Sequence, residues 1–283
     1  MNPLVPLPDS AIFTHEAMHT TFTLRLIGED ERMVAGAARE CLDLIDNLET
    51  KLSRFIDGSD VFRINRMQAG ETLYLSEACH QCLLLAMQAY SLTGGLFDIT
   101  LGKRIEHRKS GAEGPLPPLA GRLVIHPDVA AITCETPGRE IDLGGIAKGF
   151  ALDQLSCLLQ DWGVSGGLLA AGASSLLAVG PQAWPVELAG ALEARQLVLS
   201  KSSLSASGTE VQGSHIVHPG DDETHGTYLS QRVWAVAATA TLAEAWSTAL
   251  MLMSQDEVTA AIVRESSLLH AYAELDGQVA ELK

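Results

Sequence analysis

Residues 141–153 read Ile141-Asp142-Leu143-Gly144-Gly145-Ile146-Ala147-Lys148-Gly149-Phe150-Ala151-Leu152-Asp153. An apolar-acidic pair that could end a strand leads into a glycine turn, and an apolar-periodic helical segment follows to about Trp162. Glycines let a backbone approach a ligand with no Cβ in the way. A helix start directly after them offers unpaired N–H groups and the positive end of the helix dipole, both favourable to phosphate. One lysine and two aspartates within a few residues suit a phosphate-bearing ligand with a divalent metal nearby. By itself the pattern equally fits an ordinary strand, turn and helix with a solvated lysine.

The rest of the chain sets bounds. Its 283 residues allow one large domain or two modest ones. Hydrophobic residues at 47% and charged residues at 19% mark an ordinary globular protein. The net charge of -16 argues against nonspecific nucleic-acid binding and against docking on anionic lipid. The start, Met1-Asn2-Pro3-Leu4-Val5-Pro6, lacks a basic segment, and no later run stays apolar for 18 residues. The expectation is a cytoplasmic protein with no membrane insertion. Cys41, Cys79, Cys82, Cys134 and Cys157 are scattered and expected to be reduced.

Working outward, His15 to Ile27 reads as a strand, and Asp30 to Leu52 as an amphipathic helix with Val34, Ala38, Cys41, Ile45, Leu48 and Leu52 on one face. Val61 to Arg66 is a short helical turn, and Glu71 to Leu75 an extended piece. Ser76 is the expected N-cap of a helix from Glu77 to about Leu92. That helix carries Cys79-His80-Gln81-Cys82, read as core packing rather than zinc or redox chemistry. Lys103 to Gly121, rich in Pro and Gly, reads as a surface loop. Strands are expected at Leu123–Ile125, Ala130–Thr136, on both sides of Gly172, at Trp184–Leu188, Gln196–Ser200 and Gln231–Ala238. Ser202 to Gly213 reads as a loop, and His215 to Pro219 as a short strand entering a turn. Leu242 to about Ser254 is a helix, a capping box at Ser254 starts another, and Ser267 to Ala273 precedes a last turn. Strands and helices mix without strict alternation, which predicts an α+β fold with mixed or antiparallel sheets and packed helices in a single domain spanning 1–283.

Several stretches together resemble the ApbE family of FAD-dependent FMN transferases, first described as thiamine-biosynthesis lipoproteins. Residues 141–153 are similar to its D-L-G-G-I-A-K-G-Y-A-V-D almost letter for letter. Ser53-Arg54-Phe55 through Asn65 looks like S-x-Y/F … S-E-L-x-x-L-N, and Gly94-Gly95-Leu96-Phe97-Asp98-Ile99-Thr100 like G-G-A-F-D-P-T. His215-Ile216 with Pro219 resembles H-I-I-D-P, and Ala243-Glu244-Ala245-Trp246-Ser247-Thr248-Ala249-Leu250 resembles A-D-A-L-A-T-A-L. The resemblance implies a T-fold-like α+β architecture. It also implies transfer of the FMN half of FAD to a Ser or Thr of an acceptor flavoprotein, with AMP released and a divalent metal, usually Mg2+, assisting. On that basis Glu244, Thr248 and the Ala147 carbonyl would hold the metal. Met18, Phe55, Phe97, Asp98, Lys148, Asp153 and Ser207 would bind the flavin nucleotide, and His215 would be the general base.

The chain also departs from the family pattern. M-G-T reads Met18-His19-Thr20, G-G-D reads Gly172-Ala173-Ser174, and T-S-G-D reads Ala206-Ser207-Gly208-Thr209. The aspartate of H-I-I-D-P is His218 here, and the metal aspartate is Glu244. These changes describe a divergent member and leave two alternatives: a flavin-binding protein without transfer, or a metal-dependent FAD hydrolase giving FMN and AMP. His218 and His225 with Asp221, Asp222 and Glu223 either bind a transition metal or form a solvated acidic loop. The family's acceptor pattern, D-x-x-(S/T)-G-A-(S/T), is missing here; around Ser110-Gly111-Ala112, His107 and Glu113 replace the acid and hydroxyl.

Overall fold

A computed structural model describes residues 8–208, 216–220 and 230–282. Its main sheet is antiparallel throughout, in the order β1-β2-β6-β7-β10-β11-β12-β13. The strands are β1 (Ala11–Ala17), β2 (Thr20–Ile27), β6 (Gly166–Ala171), β7 (Ser175–Val179), β10 (Ser203–Gly208), β11 (Arg232–Ala237), β12 (Leu268–Leu275) and β13 (Gln278–Leu282). A small sheet joins β3 (Thr72–Tyr74), β5 (Ala131–Thr136) and β4 (Arg122–Ile125), and β8 (Trp184–Leu188) pairs with β9 (Arg195–Leu199) as a hairpin.

The period-two alternation of strand side chains gives the main sheet two apolar faces. Leu169, Val233, Ala235, Ala271 and Ala273 point into the principal core with the helices. Their neighbours Leu168, Trp234, Val236 and Tyr272 form a second cluster with Trp184, Val186 and Leu188 of β8. The sheet is therefore covered by helices on one side and by the β8–β9 hairpin on the other, an α+β arrangement.

The helices begin and end where local chemistry says they should. In α1 (Glu31–Leu52), Asp30 caps the N–H groups of Arg32 at 2.8 Å and Met33 at 3.3 Å, and Val34, Ala38, Cys41, Ile45 and Leu48 face the core. Truncating a fully buried leucine such as Leu48 would cost about 2–5 kcal/mol. A short α2 (Asp60–Ile64) follows. Ser76 caps α3 (Glu77–Leu92), which buries Cys79 and Cys82 completely, so the CxxC is core. α5 (Ala147–Asp161), α6 (Ala240–Leu250) and α7 (Gln255–Arg264) complete the helical layer, the last with the expected capping box at Ser254 and Glu257.

Several boundaries differ from the sequence reading. Residues 15–27 are not one strand but the end of β1, a turn at Met18-His19 and β2. Residues 103–109 are not loop but most of α4 (Gly102–Lys109). In it Arg104 is buried because its guanidinium donates to the carbonyls of Pro117 at 2.9 Å and Gly220 at 3.3 Å. Ser203–Gly208 is a strand inside the sheet; its serines look like loop residues but bond across it. Ile141 and Asp142 do not end a strand; they follow Glu140, which makes an isolated parallel bridge to Leu101. Ile216–His218 is buried or half-buried irregular chain, and the expected last turn is β13. Among the described residues no helix is long and apolar enough to cross a membrane.

Candidate functional site

The glycine turn is held from three sides. Asp142 Oδ1 accepts the Gly144 N–H at 2.8 Å, and its Oδ2 accepts from Arg54 Nη1 at 3.1 Å. Arg54 also donates to Glu140 at 2.8 Å and to the Gly102 carbonyl at 3.0 Å. Asn65 clamps Ile141 with both ends of its amide, at 2.9 and 2.7 Å. At Gly145 an added Cβ would stand 3.2 Å from the Phe97 ring and 3.4 Å from the Thr248 hydroxyl. Absence of a side chain there is what lets Phe97 and Thr248 meet the turn.

Beyond the turn, α5 and α6 pass each other at their first turns and cap one another. Glu244 of α6, 4% exposed, accepts the Gly149 N–H through Oε2 at 2.6 Å. Asp153 of α5 accepts the N–H groups of Ala240 at 2.8 Å and Thr241 at 2.9 Å, and the Thr241 hydroxyl at 2.5 Å. Each carboxylate thus satisfies donors that a helix start leaves open and sits at the favourable end of the dipole. Contact this close requires Gly149, where a Cβ would fall 2.3 Å from the Ala240 carbonyl oxygen. Burial raises the Asp153 carboxyl above its usual range, an effect the Thr241 and Ala240 hydrogen bonds oppose and the nearby Glu244 charge adds to.

Lys148 completes the arrangement. Its Nζ pairs with Glu244 Oε1 and donates to the Gly144 carbonyl at 3.3 Å. A carboxylate this buried needs a cation, since an isolated charge is expensive to remove from water. Thr248 donates to the Glu244 carbonyl at 3.2 Å, leaving its oxygen lone pairs available. Ser207 and Ser247 share a hydrogen bond at 2.9 Å, and Ser247 continues to Ser205 at 3.3 Å.

The sequence-predicted residues divide accordingly. Lys148, Glu244, Thr248 and Phe97 gather around the turn, Ala147 closes it by donating its N–H to the Leu143 carbonyl at 2.8 Å, and Ser207 touches α6 through Ser247. Asp98 is held within the protein: its carboxylate accepts the Thr100 N–H and hydroxyl, each at 2.7 Å, and faces Arg139 at 3.5 Å. Phe55 is 63% exposed beside His19 and Arg54, and the Met18 N–H donates to Glu49 at 2.8 Å. His215 and His225, with Asp221, Asp222 and Glu223, lie outside the described residues; His218 Nδ1 accepts the Gly220 N–H at 3.0 Å. Among the described residues no three His, Cys, Asp or Glu side chains gather as a metal cluster. Sequence reasoning missed Arg54, Ser247 and Thr241. Arg54 was findable by asking which cation balances Asp142, and Ser247 by its i+3 spacing from Glu244.

A turn that offers oxygen donors and a lysine can take a phosphorylated ligand with a hard cation. Known proteins share this architecture. An ApbE protein of Thermotoga maritima superposes with a TM-score of 0.83 at 20% identity, covering 97% of each chain. A flavin transferase ApbE of Vibrio cholerae superposes at 0.78 and 18% identity, covering 96% of each. In sequence, the chain is 23% identical to a protein of Klebsiella pneumoniae (strain 342) named FAD:protein FMN transferase, over 94% of this chain and 85% of that one. The sequence profile of the ApbE family matches residues 18–273, nearly the whole chain, and the protein belongs to that family.

Proposed function

We propose that this protein transfers the FMN moiety of FAD to a Ser or Thr of a cytoplasmic acceptor flavoprotein carrying a D-x-x-(S/T)-G-A-(S/T)-like segment, and releases AMP. The observation that carries this reading is the junction of α5 and α6. There Lys148, Glu244, Thr248 and Phe97 converge on a glycine turn inside a chain of the ApbE family.

Glu244, Thr248 and the Ala147 carbonyl are the residues that would hold Mg2+. All three donors are hard oxygens, and Glu244 Oε1 already faces a positive charge in Lys148, so the set fits a hard divalent cation. When bound, the metal would neutralise pyrophosphate charge and stabilise the leaving AMP. Lys148 supplies a second positive charge at the turn, suited to a non-bridging phosphate oxygen. Phe55 offers an exposed ring face to the nucleotide, while Phe97, buried in the core, backs the glycine turn. Asp153 acts one step back: its hydrogen bonds fix the start of α6 and so the placement of Glu244 and Thr248. His215 is proposed as the base that takes the acceptor hydroxyl proton.

The test is incubation with FAD, Mg2+ and a protein bearing the acceptor segment, read by mass spectrometry. A mass increase on the acceptor equal to one FMN moiety supports transfer. Consumption of FAD to FMN and AMP with an unchanged acceptor replaces transfer with hydrolysis. Binding of FAD without consumption leaves a flavin-binding protein.

A further inference from the structure

The tip of the β1–β2 hairpin holds two non-glycine residues in the left-handed region, Met18 at φ 51° and His19 at φ 57°. Two-residue hairpins with positive φ at both positions favour Asn-Gly or Gly-Gly, because a Cβ is penalised there. The strand pairing gives no reason for a histidine. Ala17 and Thr20 close the ladder whatever stands between them, and the His19 side chain is exposed. A side chain kept where glycine would sit more comfortably suggests a task for that side chain.

Its surroundings indicate the task. The Met18 N–H donates to Glu49 at 2.8 Å, tying the hairpin tip to the end of α1. The chain leaves α1 at Leu52 and runs through Ser53 and Arg54 to Phe55. The His19 and Phe55 rings therefore meet, with centroids 6.4 Å apart and planes at 84°. Both side chains are exposed, Phe55 to 63%. Arg54 lies 5.6 Å from the Phe55 ring centre, and its guanidinium also holds Asp142. Asp142 binds Gly144, whose carbonyl meets Lys148, which pairs with Glu244. A perpendicular pair of exposed rings thus stands at one end of a continuous line of contacts, and the candidate metal and phosphate site stands at the other. Exposed aromatic surface of this kind is suited to stacking a flat ligand ring.

We propose that His19 is a further ligand-binding residue of the same site. With Phe55 it forms a corner that receives one heteroaromatic ring of a flavin dinucleotide whose pyrophosphate lies toward Lys148. This rests on the flavin reading above and adds to it a residue where the family pattern has glycine. The test compares native protein, His19→Gly and His19→Asn. Asn tolerates the left-handed backbone but lacks the ring. Thermal unfolding without ligand and FAD affinity by titration calorimetry are measured for each. Unfolding temperatures should stay level or rise in both variants, while FAD binds about three- to tenfold more weakly. Unchanged or tighter FAD binding in both variants overturns the role of His19 and leaves the flavin reading standing. Weakening in His19→Gly but not in His19→Asn also overturns it, because backbone freedom rather than the ring would then be responsible. Failure of the native protein to bind FAD removes the flavin reading, and the proposal with it.

Discussion

Replacing Asp153 tests whether that carboxylate serves the helix or the ligand. In the structure its two oxygens accept three hydrogen bonds, from the N–H groups of Ala240 and Thr241 and from the Thr241 hydroxyl. Asp153→Ala leaves these donors at the start of α6 without their acceptor. Loss of a helix cap costs about 0.5–2 kcal/mol, and each buried donor left unsatisfied about 1–3 kcal/mol. Water reaching the half-buried site offsets part of this, so about 3 kcal/mol is expected, or an unfolding temperature lower by roughly 6–12 °C. Asp153→Asn keeps one acceptor but turns an NH2 toward an N–H, and should lose about half as much. The pH dependence has a definite sign. The folded-state pKa is raised above the unfolded one, so the native carboxyl contributes stability that is present below the unfolded pKa and lost as pH rises through the folded value. The variant lacks that contribution, so the stability gap between native and Asp153→Asn should be wider at acid pH than at neutral pH. Urea unfolding across that range, with FAD titration at low temperature where both proteins are folded, reads both quantities. A tenfold loss of FAD affinity with unaltered stability would refute the capping role and return Asp153 to the nucleotide.

Other consequences are equally direct. Gly149→Ala places a methyl group 2.3 Å from the Ala240 carbonyl oxygen and should destabilise by about 1–3 kcal/mol through overpacking, read by chemical denaturation; a variant as stable as native would mean α5 and α6 do not pack this closely. Lys148→Met strips the buried Glu244 of its cation and should cost about 3–5 kcal/mol, with Mg2+ restoring much of the loss; an unfolding temperature indifferent to Mg2+ would remove Glu244 from the metal site. Glu244→Ala should abolish metal-dependent turnover of FAD, and a variant with an intact metal requirement would place the cation elsewhere. Burial raises the Cys41 thiol to about 12, and Cys79 and Cys82 are raised as well, so a thiol reagent at pH 8 should label Cys157 and spare these three; mass spectrometry of the folded protein decides it.

Much of this protein was legible in its sequence, because the features concerned are local. Helical spacing marked α1, Ser76 and Ser254 marked helix starts, and the glycine-rich stretch at 144–149 marked the turn where the chain approaches other groups closely. The motif order pointed to the α+β architecture and the family. Where local composition and long-range pairing disagree, the sequence misleads. Ser203–Gly208 resembles a loop but is a strand because β7 and β11 flank it, and the mixed charges after Gly102 suggest solvent although Arg104 is buried by carbonyls more than ten residues away.

The letters of residues 141–153 were thus enough to say that something approaches this turn closely, since a glycine's missing Cβ is a property of the residue itself. Which neighbour each glycine and each acid serves was a matter of tertiary structure. Gly145 faces Phe97 and Thr248, Gly149 faces α6, and Asp153 and Glu244 exchange caps across the helix pair. A hydrogen bond depends on distances of a few tenths of an ångström between residues about ninety positions apart, and only the packing of α5 against α6 sets those distances.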